Sequence, residues 1–356
     1  MKKQETAGGI GAKSEKMERV LEGIGVWAGY YRSNPHRFAI DYLHVNLKLF
    51  QIILLFMMNL SYTFMFIGSR GLGKSYLCAI FCCIRCVLYP GTKICIASGT
   101  RGQSVNVLEK IMTELKPNSP ELASEIDEKE TKLNPNTAQI VFKNASYIKV
   151  VTASDSARGN RAHVLIIDEF RMVKKDVIDT ILRKFLANPR HPKYMDKPEY
   201  ANMREPLKTM YLSSAYYQDH WSFVKARDMC RFMLDDRRHD FVCGFPYQLA
   251  LKEDLLMEET VVEQMTETDF NEIKWSINIS VLLKPIELLP NRCATDDIVF
   301  CRKWQITVVL TGKPLFGGQP CAKPVLHLQE GATTIQIWST PETGTGGSGG
   351  ADRTSV

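Results

Sequence analysis

The sequence lacks the features that mark secreted, zinc-binding or repeat proteins. Its opening stretch, MKKQETAGGIGAKSEKMERV, contains no apolar run, so we expect no secretory signal peptide. The Cys-x-x-Cys formed by Cys83 and Cys86 is not followed by a second such pair or by a histidine pair at zinc-site spacing. The ten cysteines are therefore expected to be reduced thiols, buried where they lie in apolar runs. The sequence shows no internal repeat.

The chain also lacks a strong excess of charge of one sign. It has 45 basic and 39 acidic residues in 356, for a net charge of +6, which is compatible with a polyanionic partner but does not require one. Its long uncharged stretch, residues 49–67, approaches the length of about 20 residues that a membrane helix needs. Polar residues interrupt it, and the turn-forming sequence at 59–62 predicts a helix followed by a strand. We therefore expect no membrane span.

Short apolar runs alternate with helical patterns through most of the chain, which predicts an α/β fold with a mainly parallel sheet flanked by helices. The expected strands are 62–67, 93–97, 164–167 and 209–212, with a hairpin at 139–142 and 147–152. Helices are expected up to about residue 60 and at 75–88 and 105–115.

Composition predicts four regions along the chain. These are a flexible N-terminal arm (1–25), an α/β core (26–215), a small helical subdomain (216–290) and an irregular C-terminal region with a flexible tail (291–356).

A glycine-rich motif explains why a strand and a helix meet near residue 70. Its residues fit G-x-x-x-x-G-K-[ST], the Walker A phosphate loop: Gly68, Ser69, Arg70, Gly71, Leu72, Gly73, Lys74 and Ser75. Glycines let backbone N–H groups converge on a phosphate, and the following helix adds the positive end of its dipole. Lys74 can bridge the β- and γ-phosphates, and the Ser75 hydroxyl can bind Mg²⁺. The motif predicts ATP binding.

A second motif, Val164-Leu-Ile-Ile-Asp168-Glu169, has the form of a Walker B strand. Asp168 ends the apolar run and is placed to hold Mg²⁺, whereas Glu169 is placed to orient and deprotonate the attacking water. An adjacent glutamate is typical of the P-loop NTPase branch (ASCE-type) that inserts an extra strand between the two motif strands. Residues 209–212 are the candidate for that strand, and Ser213 and Ser214 at its end could sense the γ-phosphate or form a plain turn.

Two arginines have alternative interpretations. Arg70, inside the phosphate loop, either reaches the γ-phosphate or faces solvent. Arg158, in the sequence SARGNR, either stabilises the transition state in a neighbouring subunit as an arginine finger or forms a structural salt bridge.

These motifs together resemble the large terminase subunit of tailed bacteriophages, over roughly residues 27–285. The resemblance is carried by SRGLGKS, by SARGNRAHVLIIDEFR and by NPHRFAIDYLHVNLKLFQ. It implies a motor that hydrolyses ATP with Mg²⁺ to move double-stranded DNA, with residues 26–215 as the ATPase core and 216–290 as the lid subdomain. It further implies an adenine contact by Gln51, which could also be a stray polar residue, a trans-acting Arg158 in a homo-oligomeric ring, and coupling through Ser213 and Ser214.

The same resemblance implies partners and a location. The partners are the portal protein and the small terminase subunit, and the location is the bacterial cytoplasm, with transient attachment to the procapsid portal. Basic residues of 183–208 and 227–238 are candidate DNA contacts, although charged runs are commonly solvated faces.

The sequence departs from this family after about residue 290. Only Asp296 and Asp297 form a paired carboxylate there, whereas two-metal nucleases need carboxylates from several strands, so we expect no nuclease activity. Three alternative functions remain: a helicase-like translocase of superfamily 2, a P-loop scaffold that does not hydrolyse nucleotide, and an inactive remnant.

Overall fold

We describe the protein from a computed structural model, which covers residues 8–134, 137–192, 196, 205–216, 219–235, 237–266, 324–327 and 336–339. The chain divides into two compact units, residues 1–282 and 283–356. The first unit carries every candidate site residue.

Three helices precede the sheet: α1 (Gly8–Ser33), α2 (Pro35–Asp41) and α3 (Leu49–Leu60). The structure differs here from the flexible arm expected at residues 1–25, because α1 begins at Gly8. Aromatic packing accounts for the difference. Trp27 and Tyr31 of α1 contact the ring of Phe38 with centroids 6.1 and 5.6 Å apart, and a helix anchored at one end propagates residue by residue.

The apolar stretch 49–67 divides as the sequence predicts. Helix α3 ends at Leu60 and the first strand begins at Thr63, with Ser61 extended between them. The buried residues of α3 recur at helical spacing, so one face of the helix enters the core. No described helix is long and apolar enough to cross a membrane.

Seven strands form the sheet of the first unit, in the order β3-β4-β2-β5-β6-β1-β7. They are β1 (Thr63–Gly68), β2 (Lys93–Ser98), β3 (Gln139–Val141), β4 (Tyr147–Thr152), β5 (Val164–Asp168), β6 (Lys208–Ser213) and β7 (Asp240–Phe245). Every pairing is parallel except β3–β4, the expected hairpin. Strand β6 lies between β1 and β5, which confirms the predicted inserted strand.

Helices cover both faces of this sheet. They are α4 (Lys74–Leu88), α5 (Arg101–Lys110), a π-helical turn (Ile111–Leu115), α6 (Lys116–Asn118), α7 (Pro120–Glu125), α8 (Lys175–Thr180), α9 (Trp221–Met233), α10 (Tyr247–Lys252) and α11 (Glu258–Thr266). Short 3₁₀ turns occur at Asp155–Ala157, Phe170–Met172 and Leu182–Phe185.

Alternating residues of the central strands enter two hydrophobic cores. Phe64 and Phe66 of β1 join one cluster, and Met65 and Ile67 join the other. A strand buried on both faces reads as a continuous apolar run rather than an alternating pattern, which is why these strands were recognisable from sequence. The predicted α/β fold of the P-loop type is confirmed.

The strand β7 was missed, because residues 216–290 were expected to be helical. Its sequence, DFVCGF, pairs in parallel with β1 and extends the sheet beyond residue 215. The Phe241 ring stacks on Phe64 at 5.8 Å, and Phe245 packs edge-on against Phe66 at 5.8 Å. Burial against β1 therefore overrides the helical character of the flanking segments. The remainder of the division into domains stays a prediction, and 267–290 lies outside the described residues.

The cysteines of α4 and β2 are buried free thiols, and burial raises the pKa of the Cys86 thiol. Cys293, Cys301 and Cys321 lie outside the described residues.

In the second unit the described residues form one antiparallel pair, β8 (Pro324–His327) with β9 (Gln336–Ser339). These strands fall in the region expected to be irregular. Asp296, Asp297 and the glycine-rich end of the chain lie outside the described residues, so the expectation of no nuclease activity stays a prediction.

A buried ion-pair cluster joins the end of α4 to the segment before β6. Arg85 donates to Glu205 Oε2 at 2.9 Å, and Arg190 donates to both Glu205 oxygens. Burial alone raises the pKa of Glu205, but the hydrogen bond from Arg190 and the charge of Arg85 hold that pKa below its usual value.

We predict that Glu205→Ala lowers the free energy of unfolding by about 3–5 kcal/mol, because two buried guanidinium groups lose this counter-ion. Urea denaturation measures the change. Glu114→Ala, which removes an exposed helical pair with Lys110, is the control and should change stability by less than about 0.5 kcal/mol. Equal effects of the two substitutions would contradict the role assigned to the cluster.

Candidate nucleotide site

The phosphate loop joins β1 to α4 and has the backbone that its glycines permit. Gly71 and Gly73 have φ angles of 82° and 68°, a region that glycine adopts without strain. A Cβ at Gly68 would lie 2.8 Å from a ring carbon of Phe66, closer than side chains pack. Backbone geometry or close packing therefore accounts for all three glycines of the motif.

Residues outside the motif hold the loop on two sides. Ser69 N donates to Phe245 O of β7 at 3.2 Å, which fixes the start of the loop. The segment after β7 packs against its middle, since a Cβ at Gly71 would contact Leu256 at 3.2 Å and Ala250 at 3.5 Å. The segment 247–256, assigned from sequence to the lid, thus touches the phosphate loop directly.

Lys74 is the first residue of α4, and its side chain folds back over the loop. Its Nζ donates to Gly68 O at 2.8 Å and to Ser69 O at 3.1 Å. Burial lowers the pKa of Lys74, and the charges of Glu169 and Asp168 oppose that shift. Lys74 is thus close enough to both carboxylates to interact with them, in the position expected for a group that binds the β- and γ-phosphates.

Two carboxylates lie at the carboxyl end of β5, on its last residue, Asp168, and on the next residue, Glu169. Asp168 is 5% exposed and its Oδ1 accepts the Glu169 N–H at 3.1 Å. Burial, and then the charge of Glu169, raise the pKa of Asp168 to about 6. Glu169 has a left-handed backbone, φ 45° and ψ 49°, which is uncommon for a residue with a side chain and clusters at functional sites.

Glu169 Oε2 accepts hydrogen bonds from three side chains. Ser213 Oγ lies 3.1 Å away, Ser214 Oγ 3.5 Å and Arg171 Nε 3.1 Å. The sequence singled out the two serines, and in the structure both donate to Glu169. Sequence reasoning missed Arg171, although the sequence used for the resemblance, IIDEFR, contains it.

Strand register explains why these groups meet. Ile67 pairs with Ser213, and Asp168 pairs with Leu212, so the ends of β1, β6 and β5 lie side by side. The loop, the serines and the carboxylates each follow one of these ends, at the carboxyl edge of a parallel sheet, where ligands of open α/β folds bind.

Gln51 lies beside the loop. It is 4% exposed, its Oε1 accepts the Lys48 N–H at 2.9 Å, and its Nε2 lies 3.5 Å from the position of a Cβ at Gly73. The structure therefore accounts for its burial by helix capping. The adenine contact stays a prediction.

The remaining sequence-predicted residues are placed as follows. Ser75 lies in the first turn of α4, Leu72 is buried, and Arg70 is exposed on the loop. Arg158 is exposed and pairs with Asp155 of its own chain at 3.0 Å, the salt bridge that was its alternative interpretation. The catalytic roles of both arginines stay predictions.

The site has the donors that Mg²⁺ prefers. The Ser75 hydroxyl and the Asp168 carboxylate are hard oxygen ligands, and a cation beside the buried Asp168 would compensate its loss of solvent. Among the described residues, no group of three or more His, Cys, Asp or Glu side chains could hold a metal. Nucleotide phosphates and water would therefore complete the coordination shell, as is usual for Mg²⁺.

Part of the chain matches a known protein family. Residues 65–215, which run from β1 to just beyond the two serines, match the family model described as terminase large subunit, T4likevirus-type, N-terminal. No protein of curated function matches the chain.

Solved structures similar to the chain include phage terminases. The large terminase ATPase domain of Thermus phage P74-26 is 14% identical, with a TM-score of 0.48, over 66% of this chain and 95% of that domain. The HK97 bacteriophage large terminase is 14% identical, with a TM-score of 0.45, over 62% of this chain and 46% of that terminase. The large terminase of a thermophilic bacteriophage, solved in complex with ADP, is 13% identical, with a TM-score of 0.44, over 63% and 51%. The chain spans about half the length of the HK97 large terminase and of the large terminase solved with ADP.

We predict that Mg²⁺-dependent binding of an ATP analogue weakens as pH falls below about 6, up to tenfold per pH unit, because a proton competes with the metal at Asp168. The raised pKa also means that the nucleotide-free fold loses stability as pH rises from about 4 to about 6. Titration calorimetry at pH 5, 6 and 7 measures the affinity.

Asp168→Asn is the control for this titration, because it removes the carboxylate and leaves protonation of the nucleotide itself unchanged. Its Mg²⁺-dependent affinity should be low and vary less with pH than that of the wild type. The same pH dependence in both proteins would contradict the role of Asp168.

Proposed function

We propose that the chain is the ATP-hydrolysing motor subunit of a terminase, which moves double-stranded viral DNA into a procapsid. The observation that supports this best is the position of Glu169. It lies at the same sheet edge as the phosphate loop, and among neighbouring charges it acts most strongly on Lys74. A carboxylate there is suited to a water molecule attacking the γ-phosphate.

The residues of the chain have distinct tasks in this hydrolysis. The loop amides and the first turn of α4 bind the phosphates, and Lys74 moves its N–H donors from the loop carbonyls to the β- and γ-oxygens. Ser75 and Asp168 hold Mg²⁺, which neutralises phosphate charge when bound. Glu169 accepts the proton of the attacking water, and Arg70 or Arg158 of a neighbouring subunit stabilises the transition state.

Coupling to movement is assigned to Ser213 and Ser214. Both donate to the base, and the chain continues from them through Tyr216 towards α9. A change at the γ-phosphate that shifts Glu169 would therefore be felt at the start of the 216–290 segment. This coupling requires that the contacts of the segment differ between the two nucleotide states. The proposed shift of Glu169 is such a difference.

DNA is proposed to bind through its phosphates, independently of sequence. Two of the candidate DNA contacts, Arg190 and Lys208, are only 4% and 2% exposed. Both side chains lie in the interior and are excluded as DNA contacts. The exposed candidates include Arg183, Arg231 and Arg237, each near an acidic neighbour. The portal protein, the small terminase subunit, the homo-oligomeric ring and the location in the bacterial cytoplasm and at the portal belong to this proposal.

We predict that Glu169→Gln binds ATP like the wild type but releases phosphate at least about 100-fold more slowly, because the general base is lost. Lys74→Ala should instead lose most ATP binding. Phosphate release and binding of a fluorescent ATP analogue measure the two effects. Normal turnover by the Glu169→Gln protein would remove the role assigned to this residue and favour a nucleotide-binding scaffold.

We predict that Arg158→Ala and Lys74→Ala subunits, each inactive alone, regain part of the activity when mixed. In a mixed ring, the intact site of an Arg158→Ala subunit receives the arginine of a Lys74→Ala neighbour. ATP hydrolysis is measured at mixing ratios where light scattering shows that oligomers form. Inactivity at every ratio would favour the local pair with Asp155 as the function of Arg158.

A further inference from the structure

Arg171 lies in the site but belongs to neither motif. It lies in the 3₁₀ turn Phe170–Met172, directly after the base, and its side chain is 16% exposed. Its Nε donates to Glu169 Oε2 at 3.1 Å. Because the pair is largely withdrawn from water, screening is weak and the contact is worth more than a surface salt bridge.

Arg171 also contacts the segment that follows the coupling serines. Its guanidinium lies over the ring of Tyr216, 5.0 Å from the centroid. The same side chain therefore joins the carboxylate of the base to the chain that leads to α9. Phe170 adds a second link in this direction, because its ring packs edge-on against Trp221 at the start of α9.

The side chains that donate hydrogen bonds to Glu169 all bind the same carboxylate oxygen. The donors of Arg171, Ser213 and Ser214 all converge on Oε2. A carboxylate held through one oxygen presents the other in a fixed direction, and a general base must be held within hydrogen-bond reach of its proton. Glu169 follows β5 at the sheet edge where the phosphate loop follows β1, and its charge is the neighbouring charge that acts most on Lys74.

We infer that Arg171 is a positioning residue for Glu169, which holds the base through Oε2 towards the nucleotide and ties its position to the Tyr216 segment. The inference rests on the proposed hydrolysis of ATP. It assigns no contact between Arg171 and the nucleotide. Loss of Arg171 should therefore slow turnover without weakening nucleotide binding.

The test is the steady-state ATPase of Arg171→Ala. We expect kcat to fall about 10- to 100-fold, the loss of a charged hydrogen bond, with the KM for ATP within about twofold of the wild type. Arg171→Lys keeps the charge but loses the planar group, so its kcat should lie between those of the wild type and Arg171→Ala. Arg37→Ala, which removes an exposed pair with Asp41, is the control and should behave as the wild type.

Hydrogen exchange of the nucleotide-free protein gives a second readout that does not depend on hydrolysis. The Met172 amide donates to Glu169 O at 2.8 Å within the turn, and Ser213 ends β6. Peptides with these amides should exchange at least about fivefold faster in Arg171→Ala than in Arg37→Ala.

The outcomes separate the inference from the function on which it rests. An unchanged or raised kcat in Arg171→Ala, a change in KM alone, or unchanged exchange would overturn the inference. A wild-type protein without ATPase activity would overturn the proposed function, and the exchange rates would then decide whether Arg171 holds Glu169 and the end of β6 together.

Discussion

The parallel pairing of β6 with β1 on one side and β5 on the other is the constraint on which the site depends. Because Ile67 lies opposite Ser213, and Asp168 opposite Leu212, three chain segments leave the sheet at one edge. A slip of one residue in β6 would turn Ser213 to the other face and remove its bond to Glu169. The buried cluster of Arg85, Arg190 and Glu205 lies just before β6 and links it to the end of α4, the helix that begins with Lys74.

The site also depends on the balance between positive and negative side chains in a partly buried space. Burial shifts the pKa of Lys74 down and that of Asp168 up, and the charge of Glu169 raises both pKa values. Arg171 adds a positive group against the base on the side of Tyr216. The site therefore has a cation on each side of Glu169, one directed to the loop and one to the chain that leads to α9. This arrangement gives the base a defined position before nucleotide binds.

The sequence predicts the parts of this site whose chemistry is local. The glycines of the loop, Lys74 and Asp168 follow from spacing alone, and apolar runs identify β1, β5 and β6. Arg171 was missed because its role depends on the left-handed backbone of Glu169 and on contacts across β6. The strand β7 was missed because a six-residue strand amid helical patterns gains its stability from packing on β1. Helix α1 contains glycines that disfavour a helix, and aromatic contacts at its far end decide its conformation.

The most direct test of the central claim is a structure of the chain with Mg²⁺ and a non-hydrolysable ATP analogue. The account predicts that the γ-phosphate lies between Lys74 and the Glu169 carboxylate, with Lys74 released from the carbonyls of Gly68 and Ser69. The Glu169 oxygen that does not bind Arg171 should face a water molecule in line with the γ-phosphate. A nucleotide bound elsewhere, or a Glu169 turned away from the phosphates in that complex, would contradict the account.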